Sequence, residues 1–260
     1  MQPETLKIAW IQTDLEWENP AVNWQRMGQK IAEITTAVDL IVLPELFTTG
    51  FTMNAQAVAE TMQGDTIAWL QQMAKVKNCA ITGSLVIKEK GNFYNRLVFV
   101  FPNGDLKTYD KRHLFTLAGE DKVYTAGRDK LIIDYKGFKI CPLICYDLRF
   151  PVFSRNTEKY DLLLYVANWP SPRIAAWDAL LKARAIENCC YVVGVNRLGI
   201  DANALDYPGH SQGIDFAGNL LHDSASKAEL AWVEINKKEL LDFRTRFAFL
   251  ADQDRFTVED

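Results

Sequence analysis

Long apolar runs are missing from this chain: no stretch is long enough to cross a bilayer as a helix. The N-terminal residues also lack the apolar core of a secretory signal. Basic excess is missing too. The net charge is −4, and acidic and basic residues are mixed along the chain. No basic stripe or polybasic helix points to nucleic acid or to a membrane surface. Histidine is scarce. The three present, His113, His210 and His222, are not closely paired, and there is no Cys-x-x-Cys, so the sequence offers no pattern for a metal site and none is expected. The five cysteines are odd in number and form no disulfide framework. Cys79, Cys141, Cys189 and Cys190 lie in apolar stretches, where a free thiol behaves as a small hydrophobe. A reducing, cytoplasmic location is the expectation. Internal repeats, low-complexity tracts and long linkers are also absent.

What the chain has is a large core in waiting. Of 260 residues, 48% are hydrophobic and 24% charged, ordinary values for a globular protein. Residues 6–12 read as a strand. Asn19 and Pro20 offer an N-cap and an N1 proline for a helix running to about Thr36. Residues 39–45 read as a strand buried on both faces. Asp65 is placed as the cap of a helix ending near Lys75. Residues 79–87 and 92–101 read as paired strands around a polar turn at 88–91. Asn103-Gly104 and Lys136-Gly137 are hairpin signals, the second lying before a strand that ends at Cys145. Pro151 opens a short helix expected to end near Lys159. Residues 161–168 and 191–196 read as buried strands, with a helix from Pro172 to Cys189 between them. Further strand material is expected at 211–216 and 229–235, and a helix near 237–246. Residues 247–260 have no clear period and are placed as an extended tail. Strands and helices alternate, yet hairpins interrupt them, so the sheets should be mixed and the chain 1–260 a single α/β domain.

Three residues stand at strand ends with chemistry to offer: Glu45, Lys111 and Cys145. A thiol needs a base or a cation before it becomes a nucleophile at neutral pH. Glu45 can take the thiol proton and return it to a leaving amine. Lys111, kept charged, can meet an oxyanion together with the backbone N–H of Tyr146. Each residue alone has a plainer role: a loop acid, a solvated hairpin lysine, a core cysteine. Only a fold that gathers strand ends could bring the three together.

The segments around them are distinctive. Leu43-Pro44-Glu45-Leu46-Phe47, Tyr109-Asp110-Lys111-Arg112-His113 and Leu143-Ile144-Cys145-Tyr146-Asp147 resemble, in order, the three signature segments of the nitrilase superfamily of carbon–nitrogen hydrolases. The similarity covers nearly the whole chain. The resemblance implies a four-layer αββα sandwich of two mixed sheets and a Glu-Lys-Cys triad at Glu45, Lys111 and Cys145. It also matches Glu120 to an additional glutamate that orients the lysine or positions substrate. Asp147 and Arg149 are placed as an internal ion pair, and His113 as structural. Trp169 and Arg173, just past a strand end, and Phe115 are candidate substrate contacts, with Arg173 suited to a substrate carboxylate. Residues 111–120 and 168–173 look most like the bacterial omega-amidase branch, which implies hydrolysis of the terminal amide of 2-oxoglutaramate and related monoamides. It implies no cofactor and a small-molecule partner. A homodimer is expected through the helices at 150–159 and 172–189, on the apolar side chains of Phe153, Ile174, Trp177 and Leu181.

Rival readings are an N-carbamoyl amine hydrolase or a nitrilase on the same triad, or a non-catalytic binding protein on this fold. A redox pair of Cys141 and Cys145 is a third. Four residues of spacing along one strand holds those sulfurs too far apart to bond.

Overall fold

The structure, a computed structural model, describes residues 4–258. The first half of the chain runs β1 (Thr5–Gln12), α1 (Pro20–Glu33), β2 (Leu40–Val42), α2 (Ala55–Val58), α3 (Asp65–Lys77), β3 (Ala80–Glu89), β4 (Asn92–Val100) and β5 (Leu106–Asp110). The second runs β6 (Ile133–Tyr135), β7 (Phe138–Ile144), α4 (Pro151–Ser154), β8 (Leu162–Ala167), α5 (Ile174–Asn188) and β9 (Tyr191–Asn196). It ends with β10 (Leu198–Ile200), β11 (Asp206–Pro208), β12 (Gln212–Ile214), β13 (Leu220–Asp223), β14 (Glu229–Asn236) and α6 (Lys237–Phe247).

Two six-stranded mixed sheets form, in the orders β14-β1-β2-β3-β4-β5 and β13-β12-β9-β8-β7-β6. Each has a parallel centre, β1-β2-β3 in one and β7-β8-β9 in the other, with antiparallel flanks. Helices connect the parallel strands, as a parallel crossover requires. The carboxyl ends of strands such as β2, β7 and β8 therefore reach one region.

The layers follow from side-chain alternation along the strands. On β1 and β2, Leu6, Ile8, Trp10, Leu40 and Val42 face the second sheet and join Phe138 and Ile140 in one core. Their neighbours Ile11, Ile41 and Leu43 face out, toward Met27 and Ile31 of α1 and Leu70 and Ala74 of α3. On the far side, Trp177, Leu181 and Ala185 of α5 cover the second sheet. Gly194 of β9 lets that helix sit close, because a Cβ there would strike Leu181 and Trp177. The αββα sandwich expected from the sequence is what the chain forms.

Local expectations mostly hold, with instructive exceptions. Asn19 caps α1 through Val22 N, with Pro20 at the first helical position, but the helix ends at Glu33. Lys136 and Gly137 both take positive φ, 46° and 82°, as a two-residue hairpin turn demands. Asp65 is the first helical residue of α3 rather than its cap. Gly64 is the cap residue, and the Glu60 carboxylate accepts from Thr66 N at 2.9 Å. The helix at Pro151 stops at Ser154, not near Lys159. Asn156 ends it by binding Tyr160 N, Tyr160 O and Asn188 O, which holds the following loop in place. The helix expected from Pro172 begins at Ile174, after a short 3₁₀ turn at Ser171–Arg173, and Cys189 is its left-handed cap at φ 44°. After α6 come a 3₁₀ turn at Phe249–Asp252 and residues 253–258 without regular structure; residues 259–260 of the expected tail lie outside the described residues.

One inference from the sequence needs correcting. Phe153, Trp177 and Leu181 are not spare apolar surface: they are 5%, 0% and 0% exposed within a single copy. The apolar face of α5 is used up on its own sheet.

Candidate active site

Glu45, Lys111 and Cys145 each lie one to three residues beyond the end of a strand: Glu45 after β2, Lys111 after β5, Cys145 after β7. The strand carrying Cys145 ends at Ile144, so the cysteine opens a 3₁₀ turn, Cys145–Arg149, rather than closing the strand. Its φ is +43°, a conformation that side-chain-bearing residues seldom adopt. The sharp turn brings the thiol to the wall of a cavity of about 440 Å³, where Cys145 is 9% exposed. Strain of this sort persists only where the surroundings over-determine it.

Lys111 is 1% exposed, and its segment is fastened on both sides. Arg96 holds Asp110 through two bonds of 2.6 and 2.9 Å, and Lys111 N donates to Asn95 O at 3.0 Å. The ammonium meets Glu45 Oε1 at 2.9 Å and both Glu120 oxygens at 3.0 Å. Both glutamates are fully buried and lie behind the cavity wall, reaching the cavity through Lys111. Glu120 also accepts from Phe115 N at 2.6 Å.

Two asparagines complete this cluster, and neither was singled out from the sequence. Asn95 Nδ2 donates to Glu45 Oε1 at 2.8 Å and to Glu120 Oε1 at 3.3 Å. Asn168, the residue after β8, donates its backbone N–H to Glu45 Oε2 at 2.7 Å and its side-chain amide to the Glu45 carbonyl, also at 2.7 Å. A mid-strand amide carries no local signature, whereas Asn168 could have been suspected as the last residue of a buried strand.

One cation sits among two carboxylates and a thiol. Burial opposes charge on Lys111, but Glu120 and Glu45 outweigh it and hold the ammonium charged well beyond the ordinary lysine range. Glu120 is pushed up by burial, with Lys111 opposing and Glu45 reinforcing. The Cys145 thiol is pushed well up by burial first and then by the Glu45 carboxylate, against the pull of Lys111. A free thiolate is therefore disfavoured at rest. Passing the thiol proton to Glu45 would leave the net charge of the cluster unchanged, the one cheap way to expose a thiolate here.

The cavity walls include the other residues expected from the sequence: Phe115, Tyr146, Trp169 and Arg173. Trp169 is clamped by Asn196, whose Oδ1 accepts from Trp169 N at 2.7 Å and whose Nδ2 donates to Trp169 O at 2.9 Å. The Arg173 guanidinium stands 4.9 Å from the Phe115 ring centre. Arg149 does not pair with Asp147, contrary to the ion pair expected at this turn. The Asp147 oxygens are taken by Tyr109, His113 and Ile144 N, and the Arg149 guanidinium lies 4.9 Å over the Trp169 ring on the cavity wall. His113 pairs with Asp147 and stacks on Phe150 at 3.8 Å, away from the cavity. The sequence reading also missed the β10–β11 ribbon, which brings Asp201 and Tyr207 to the cavity. Asp201 is occupied by Tyr207 Oη at 2.9 Å and by the N–H groups of Asn203 and Leu205. Glu18, also on the wall, accepts from the Thr52 hydroxyl and Asn54 Nδ2. Both acids are thus already engaged, while Arg149 and Arg173 have no carboxylate partner among the described residues. Among the described residues no group of three His, Cys, Asp or Glu side chains could hold a metal ion.

A four-layer αββα sandwich with a cysteine at a sharp strand-end turn beside a Glu–Lys–Glu cluster defines a class, and the chain belongs to the carbon–nitrogen hydrolase family, whose model matches residues 7–244. Among characterised relatives it is similar to omega-amidase YafV of Escherichia coli, at 42% identity over 254 residues, 97% of this chain and 98% of that protein. It is 33% identical over 242 residues to the 2-oxoglutaramate amidase of Bacillus subtilis, covering 91% and 93% of the two chains. A solved CN-hydrolase superfamily protein from Xanthomonas campestris, carrying an arsenic adduct in its active site, superposes with a TM-score of 0.96 at 42% identity, over 99% of this chain and 100% of that one.

Proposed function

We propose that this protein is an omega-amidase that hydrolyses the terminal amide of 2-oxoglutaramate or a closely related 2-oxo acid monoamide, releasing ammonia. The observation that carries this reading is the pairing, in one cavity, of Cys145 beside the Lys111–Glu45 ion pair with two guanidinium groups that have no carboxylate partner among the described residues. The names of the similar Escherichia coli and Bacillus subtilis enzymes support it.

The proposed reaction runs in two halves. Glu45 takes the Cys145 proton, and the thiolate sulfur attacks the amide carbon. Negative charge gathers on the former carbonyl oxygen, where the Lys111 ammonium and the Tyr146 N–H would receive it. Tyr146 is the second residue of its 3₁₀ turn, where N–H groups have no partner within the turn. Glu45 returns the proton to the nitrogen, ammonia leaves, and a thioester remains on Cys145. Glu45 then draws a proton from water, the hydroxide displaces the thiolate, and the acid departs as Cys145 regains its proton. Asn168 and Asn95 fix the two faces of the Glu45 carboxylate, and Glu120 holds Lys111 from the other side. At the far end, Arg173, with Phe115 and Trp169 as walls, receives the substrate carboxylate, and Arg149 adds positive charge.

The protein is further read as a cytoplasmic homodimer. Five cysteines without a disulfide suit a reducing compartment. Val152 of α4 and Ile186 of α5, 55% and 49% exposed, take over the role first given to the buried Phe153, Trp177 and Leu181.

The test is ammonia release from a panel: 2-oxoglutaramate, glutaramate, propionamide, an aliphatic nitrile and an N-carbamoyl amine. The highest kcat/KM should fall on 2-oxoglutaramate. Faster turnover of the nitrile or the carbamoyl amine would overturn the assignment.

A further inference from the structure

Asp147 is completely buried, yet among the described residues no lysine or arginine pairs with it. A carboxylate in such a place is expensive to keep unless all its oxygens are used. They are, and the partners are informative. Oδ2 accepts from the Tyr109 hydroxyl at 2.8 Å and from Ile144 N at 2.9 Å. Oδ1 accepts from His113 N at 3.0 Å and meets His113 Nδ1 at 2.8 Å.

Tyr109 and His113 stand two residues before and two residues after Lys111, and Ile144 immediately precedes Cys145. One carboxylate thus ties the chain on both sides of the cation to the chain entering the strained cysteine turn. The two segments come from different sheets, so sheet hydrogen bonding does not set their separation. Phe150 stacks on the His113 ring and braces the same joint.

From this geometry we infer that Asp147 is a positioning residue: it fixes the spacing between the Lys111 ammonium and the Cys145 thiol with its following N–H, and so sets kcat without touching substrate. The inference rests on the Cys145–Lys111 reading given above. Its consequence is specific. An asparagine at 147 keeps the volume but has one acceptor and one donor end, so whichever way it turns, N–H groups oppose N–H groups on one side and one tie is lost. Tyr109→Phe removes one of the four ties to Asp147, together with the 3.2 Å bond that Arg112 N donates to the same hydroxyl.

The experiment is kcat and KM for Asp147→Asn, Tyr109→Phe and the double variant. Rates are divided by the number of Cys145 sites that iodoacetamide labels, counted by peptide mass spectrometry. An unfolded chain exposes the fully buried Cys141 as well, so only chains labelled at Cys145 and not at Cys141 are counted as folded sites, and a merely structural role would leave the rate per site unchanged. Expected are a fall in kcat per site of about tenfold or more for Asp147→Asn and about threefold for Tyr109→Phe, with KM within about threefold of the parent, because the Arg173 and Trp169 walls are untouched. The double variant should lose less than the product of the two, since both act through one joint. Unchanged kcat per labelled site in either single variant, or multiplicative losses in the double, would overturn the inference. If Asp147→Asn does not fold, Tyr109→Phe decides alone. Cys145→Ala separates the two levels: if that variant stays active the triad reading itself fails, and if it is inactive while Tyr109→Phe runs at the full rate, only the role of Asp147 falls.

Discussion

Asn168 holds Glu45 at two points, its backbone N–H on a carboxylate oxygen and its side-chain amide on the main-chain carbonyl, each at 2.7 Å. The grip spans the two sheets, since Glu45 follows β2 and Asn168 follows β8. Asn168→Ala should keep the first bond and lose the second. The buried Glu45 carbonyl then lacks a donor, at a cost of about 1–3 kcal/mol, and the carboxylate gains freedom. We expect kcat to fall roughly tenfold. Steady-state kinetics on 2-oxoglutaramate will check it, and a parent-like kcat would show that Glu45 is oriented by other groups.

Arg173→Ala should lower kcat/KM for 2-oxoglutaramate by roughly ten- to a hundredfold, the worth of a charge-assisted hydrogen bond. The loss should be much smaller for propionamide, which has no carboxylate to hold. Equal losses on the two amides would remove Arg173 as the anchor and turn attention to Arg149, which shares the cavity.

The raised pKa of Glu120 has a consequence for stability. Burial is its main cause, so the folded protein holds the Glu120 proton above the ordinary glutamate value of 4.5. A folded pKa above the unfolded one means that the folded state binds more protons in the window between them. The stability this group contributes is therefore complete below the ordinary value and declines as pH rises through the folded value. Glu120→Gln cannot ionise. Denaturant titrations from about pH 4 to pH 8 should show the parent's advantage over the variant shrinking with rising pH. An advantage that grows with pH would mean that pairing with Lys111 outweighs burial at this carboxylate.

Sedimentation should show a dimer at micromolar concentration, and Ile186→Asp should shift it toward monomer while sparing the fold, because Ile186 is 49% exposed. A monomeric parent would remove the dimer from the proposal.

Much of this arrangement was legible in the sequence because it sits at ends. Short apolar runs finishing in Glu45, Cys145 or Asn168 announce a parallel sheet, and the residues past such runs converge. Period and turn chemistry placed the sheets and hairpins. Asn95 was not legible: its side chain reaches Glu45 from the middle of β4, and an amide in a strand looks the same whether it faces a carboxylate or water. Arg149 was misplaced because opposite charges two residues apart suggest a pair, whereas the 3₁₀ turn aims Asp147 inward and Arg149 at the cavity. Trp177 and Leu181 were misassigned because an apolar helix face reads alike whether it meets its own sheet or a second copy. The β10–β11 ribbon, three residues to a strand, is too short to carry a period.

The central proposal is a thioester on Cys145, and it can be trapped. The protein is mixed with excess 2-oxoglutaramate, quenched in acid within milliseconds, and its mass measured intact and by peptide. Expected is a fraction of the protein carrying substrate minus ammonia, located on the peptide that contains Cys145 and absent from Cys145→Ala, which should also release no ammonia. Ammonia release by Cys145→Ala at the parent rate, or an adduct on Cys141 in place of Cys145, would contradict it.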